Sequence, residues 1–127
     1  MLNVLIVESD PIIAMDLRDS VFARDRSARV TLHARSLPDA ERDLTALQGF
    51  SHAFLRVSSR AHHVSAERVA RRLSADGTCV VLHGAEALPP PLSDSATVTV
   101  MPFPFSAQDV LCRLAAGRGR CFSPQSA

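Results

Sequence analysis

MLNVLIVESDPIIAMDL, residues 1–17, changes character twice. Met1 to Val7 is an aliphatic, partly β-branched run with the composition of a buried strand. Glu8, Ser9 and Asp10 end it in a polar loop. Pro11 suits the first turn of a helix, where its missing N–H has no intrahelical partner, and Asp10 before it has the side chain of an N-cap. Ile12, Ile13, Leu17 and Val21 then recur at helical spacing. The chain opens as strand, loop, helix.

The same alternation runs onward. Arg29 to Ala34 (RVTLHA) reads as a second strand, and Leu37 to Leu47 as a helix with Asp39 and Glu41 in its first turn and Gly49 after its end. Ser51 to Val57 (SHAFLRV) is a third strand. Ser65 to Ala75 carries Val69 and Leu73 at helical spacing ahead of Asp76-Gly77. Cys79 to His83 is a fourth strand, Thr97 to Met101 a fifth, and a helix from about Ser106 to Ala115 places Val110, Leu111 and Leu114 on one face. Strands alternating with helices imply a parallel sheet covered on both faces, because parallel neighbours need crossover connections. The expected architecture is α/β and flavodoxin-like, a five-stranded parallel sheet of order 2-1-3-4-5. Glu86 to Ala96 contains Pro89, Pro90 and Pro91, so the fourth helix is expected to be shortened or irregular. Residues 1–116 form the expected domain, and Gly117 to Ala127 (GRGRCFSPQSA) has the composition of a flexible tail.

With 127 residues, 46% hydrophobic and 21% charged, the chain has the length and composition of one globular domain. Its 14 basic and 13 acidic residues are interspersed, so no strong field draws nucleic acid or an anionic membrane. Every basic residue counted there is arginine; lysine is absent. Cys79, Cys112 and Cys121 are widely spaced and form no CxxC, and they read as free thiols of a cytoplasmic protein. The apolar runs, such as Val4 to Val7, are far shorter than the roughly 20 residues of a membrane helix.

Residues 1–17 resemble the opening of a bacterial response-regulator receiver (CheY-like) domain, in which a hydrophobic strand ends in an acidic pair before a helix. Val100 to Leu111 (VMPFPFSAQDVL) is similar to that family's closing Lys-Pro-Phe segment and last helix. The resemblance implies a site in which two first-strand acids hold Mg²⁺, a third-strand aspartate accepts a phosphoryl group, a fourth-strand Ser or Thr binds it, and a fifth-strand lysine pairs with it. Metal and lysine would offset the charge that develops in transfer.

Here the resemblance breaks position by position. Glu8 keeps the first acid, but Ser9 replaces the second with a neutral hydroxyl, a poor ligand for a hard cation. Arg56 stands at the acceptor position, and a guanidinium is no nucleophile. His83 stands at the Ser/Thr position before Gly84, and Phe103, ahead of Pro104, at the lysine position. Val100 sits where receivers often carry a switching aromatic, and Pro104 is where the family has a cis proline. The chain reads as a pseudo-receiver that takes no phosphate, metal or cofactor. Arg56 is expected to reach Glu8 or Asp10 as an internal ion pair, or else to extend to solvent from the strand end.

Other residues give weaker signals. His52, His62, His63 and His83 contain metal-binding types, but His52 and His83 belong at opposite ends of neighbouring strands. Arg68, Arg71 and Arg72 read as a solvated helix face. The expected function is a stand-alone signalling domain acting through protein contact, with a regulator, a kinase or itself as homodimer. The surface expected to carry it comprises Val100, Phe103, Phe105, Val110 and Leu114. The competing readings are a small flavodoxin-like enzyme using the strand ends, for which no glycine-rich phosphate loop follows strand one, and a receiver phosphorylated at a non-standard residue.

Overall fold

A computed structural model describes residues 1–43, 47–84, 97–101 and 103–115. The strands are β1 (Asn3–Val7), β2 (Arg29–His33), β3 (His52–Arg56), β4 (Cys79–His83) and β5 (Val98–Met101), and the helices are α1 (Pro11–Arg24), α2 (Leu37–Arg42), α3 (His63–Ala75) and α4 (Ala107–Leu114). All pairings are parallel, and the order is β2-β1-β3-β4-β5. This is the expected flavodoxin-like, CheY-like topology.

Alternation along the strands divides the core in two. Leu5, Val7, Ala53, Leu55, Val80, Leu82 and Val98 pack under α2 and α3 with Leu37, Ala40, Ala66, Val69, Ala70 and Leu73. Val4, Ile6, Phe54, Val81 and Met101 pack on the other face, under α1 and α4, with Leu17, Val21, Val110 and Leu114. Asp10 caps α1 as expected, its Oδ1 accepting from the Ile12 N–H at 2.9 Å. Ile12, however, points to solvent, and Ala14, Leu17 and Val21 form the buried stripe.

Three readings need correction or lie out of reach. The second helix ends at Arg42 instead of reaching Leu47, and Asp43 turns the chain. The expected fourth helix and the tail fall outside the described residues. Cys112 is a free thiol, but Cys79 is disulfide-bonded, against the reading of three free thiols; pairing among distant cysteines is not written in their spacing. Among the described residues, no helix is long and apolar enough to cross a membrane.

Candidate functional site

The period of two that builds the α1/α4 face also builds a cluster at its end. Ile6 pairs with Phe54, Phe54 with Val81, and Arg56 with His83. Two residues on from Ile6, Phe54 and Val81 stand Glu8, Arg56 and His83, at the carboxyl ends of β1, β3 and β4. Parallel sheets place ligand sites there.

Glu8 is 1% exposed and Arg56 is 24% exposed. The guanidinium Nη1 donates to Glu8 Oε1 at 3.1 Å, while Glu8 Oε2 accepts the Asp10 N–H at 3.0 Å. Of the two partners considered for Arg56, the contact is with Glu8; the Asp10 carboxylate serves as the helix cap. The guanidinium carbon lies 4.6 Å from the centre of the Phe103 ring, a cation–π contact. The side chain also crosses Gly84. A Cβ there would lie 2.6 Å from Arg56 Nε and 2.7 Å from Cδ, and Gly84 has φ +80, where a side chain is strained as well. Arg56 therefore touches both a ring and a bare backbone and is anchored on a buried carboxylate.

His83 is fully buried, and its Nδ1 lies 3.7 Å from the same Glu8 Oε1, too long for a hydrogen bond. Neither ring nitrogen has a hydrogen-bond partner among the described residues, and neither does Arg56 Nε. Burial first, and then the neighbouring Arg56 charge, push the imidazole down to about 3, so it is neutral near pH 7. At that pH its approach to Glu8 is not an ion pair. The ring meets Phe105 edge to face at 5.9 Å, and Phe105 meets Phe103 at 6.2 Å.

The structure brings together Glu8, Arg56, His83 and Phe103. Ser9 is exposed, and Pro104, whose bond to Phe103 is cis, is exposed too. The interaction surface expected from sequence needs correction. Val110 and Leu114 are 0% and 3% exposed, because their stripe of α4 faces the sheet. Val100 is half-buried against the opposite core cluster. Phe103, 47% exposed, is the one large apolar side chain of that set open to solvent, with Phe105 half-buried behind it. Two residues not singled out from sequence matter as well. Gly84 provides room for Arg56, and its place directly after a strand-end histidine was the available signal. Arg113 is buried on α4 and donates to the Asp109 carbonyl at 3.3 Å and the Val100 carbonyl at 3.2 Å, tying the helix to β5.

The remaining candidates are scattered. His52 contacts Ser51 Oγ at 3.0 Å at the start of β3, and His62 Nδ1 accepts the Ser58 N–H at 3.4 Å. Arg68 pairs with Glu41 and Arg71 with Glu67, both at 3.1 Å on the surface. Among the described residues no group of three His, Cys, Asp or Glu side chains is placed to hold a metal. The chemistry of the cluster agrees: both oxygens of Glu8 are already engaged, and Arg56 brings a positive charge to the place where a cation would bind.

No protein-family model and no curated protein sequence matches the chain. Solved structures do. A protein assigned to pilus assembly from Burkholderia pseudomallei superposes with a TM-score of 0.66 at 21% identity, covering 87% of this chain and 84% of that one. The pilus assembly protein CpaE from Caulobacter crescentus gives 0.64 at 14% identity over 87% and 94%. A response regulator receiver modulated diguanylate cyclase from Pelobacter carbinolicus gives 0.58 at 14% identity over 90% and 89%. At these identities the likeness shows the fold, which is receiver-like.

Proposed function

We propose that this chain is a pseudo-receiver, a signalling module that accepts no phosphoryl group and acts by binding protein. The observation that carries the reading is the 3.1 Å contact of Arg56 with Glu8. It joins the position where receivers have their acceptor to the acid that would hold their metal, and it leaves the site neither nucleophile nor cation ligand set. His83 supplies no substitute acceptor, since the fully buried ring has no route to a phosphoryl donor. Catalysis on a small substrate has no support in an ion pair with these contacts.

The partner is a signalling regulator, a kinase or a second copy of the chain. The likeness to CpaE supports a further class, a component of pilus-assembly machinery. Incubation with acetyl phosphate and Mg²⁺ followed by intact-mass measurement tests the central part: the mass stays unchanged, and a stoichiometric phosphoryl adduct would overturn the reading. Light scattering across a concentration series separates the copies from the foreign partners. A strict monomer removes the homodimer and leaves the hetero-partner version.

A further inference from the structure

We propose that the Glu8 carboxylate has two alternative counter-cations, the guanidinium of Arg56 and the imidazolium of His83, and that the exposed ring of Phe103 decides between them by holding Arg56 in place. This goes beyond the docking reading and does not depend on it, because it concerns the protonation of the pocket whatever the module binds.

The geometry is that of one acceptor between two bases. Arg56 Nη1 stands 3.1 Å and His83 Nδ1 3.7 Å from the same oxygen, Oε1. A carboxylate that is 1% exposed is strongly stabilised by a counter-charge. In the structure Arg56 provides it, and His83, with both nitrogens lacking a hydrogen-bond partner among the described residues, stands idle beside it. Burial and the Arg56 charge both keep that ring neutral. Removing the guanidinium removes one of those causes and leaves Glu8 facing His83 alone. Below the midpoint raised in this way, a proton taken from water by Nδ1 replaces the departed charge.

Nearby charges do not compete for the role. Asp10 at the head of α1 is engaged by the Ile12 N–H, and Arg113 of α4 by the Asp109 and Val100 carbonyls. Next to His83 on β5 is Met101, which carries no charge.

Arg56 is held by three contacts, to Glu8, Gly84 and Phe103, and Phe103 is the most exposed of them, at 47%. With the ring withdrawn, a long side chain already 24% exposed is free to extend into water. Whatever moves Phe103 thereby changes the protonation of a histidine that solvent does not touch.

Long-range ¹H–¹⁵N spectra of the imidazoles, recorded on the full chain from pH 4.5 to 8, test this. In the wild type His83 stays neutral throughout, as one tautomer. In Arg56→Met it titrates inside that window, its midpoint raised by about 2–3 pH units, the upper part of the usual effect of exchanging a like charge for an unopposed carboxylate. Phe103→Ala shifts the midpoint in the same direction by a smaller amount, and Phe103→Leu falls between Ala and wild type. Gly84→Ala, whose new methyl collides with Arg56 while leaving every charge in the chain, also raises it. Should Arg56→Met fail to fold, the Phe103 and Gly84 variants carry the test. A His83 that stays neutral to pH 4.5 in all the folded variants overturns the proposal. A rise in Arg56→Met without any in Phe103→Ala overturns the part assigned to the ring.

Discussion

The two ends of the sheet hold their buried histidines, His52 and His83, in different ways. At the amino-terminal end, Asp25 accepts the Leu2 N–H at 3.0 Å. Ser51 Oγ accepts the Asn3 N–H at 3.0 Å and contacts His52, and Thr78 Oγ1 donates to the Phe50 carbonyl at 2.8 Å. At the carboxyl-terminal end, the buried His83 has no hydrogen bond at either nitrogen among the described residues, and Arg56 Nε has none either. His52 and His83, 2% and 0% exposed, make the contrast within one residue type. Satisfied burial is what a stable fold requires, and unsatisfied burial is tolerated where something else is gained. The carboxyl-terminal end holds the Glu8, Arg56 and His83 cluster.

Breaking the ion pair tests that contrast most severely. Arg56→Ala strands a carboxylate in the interior and is expected to lower stability by about 3–5 kcal/mol, read from urea unfolding, the range found when one partner of a buried pair is removed. A loss as small as that of a surface charge would mean that Glu8 finds water or another partner. Acid comes next. The folded His83 lies near 3 and an unfolded one near 6.5, so the unfolded chain binds the extra proton between those values. Stability attributable to this group is therefore full above about pH 6.5 and is lost as pH falls toward 3, by about 1.4 kcal/mol per pH unit. His83→Leu should flatten that slope at little cost near pH 7, because it removes two polar atoms that have no partner to lose.

At the other end the loss should be independent of His83. Ser51→Ala deprives the Asn3 N–H and His52 of a partner and is expected to cost about 1–3 kcal/mol while leaving the His83 resonance where it was. Gly84→Ala follows at about 1–2 kcal/mol, the strain of a Cβ in the left-handed region, with the displacement of Arg56 added. Arg71→Ala, which breaks a surface pair with Glu67, should change stability by less than about 0.5 kcal/mol.

Much of this was legible in the sequence, for a reason that particular residues show. Strand alternation carries Ile6 to Glu8, Phe54 to Arg56 and Val81 to His83, so once the strands and their order were read, the three polar residues had to share one face and one end. Val110 and Leu114 were read as a docking surface although their helical spacing matches a core stripe, which points inward. Alternation cannot reach the loop after β5. Phe103 over Arg56 depends on the path of the chain around Pro104, and the role of Gly84 on the rotamer of a side chain from another strand. The early end of α2 was equally hidden, because Leu37 to Leu47 keeps helix-compatible residues past Arg42.

In the proposed function Arg56 occupies the place where receivers hold a metal. Titrating Mg²⁺ into the labelled protein while following the Glu8 amide and the Arg56 guanidinium resonances tests this directly. The expected result is no saturable shift at either group through the millimolar range. A saturable millimolar shift at both would show that the cation displaces the guanidinium, and that the pocket is an open receiver site.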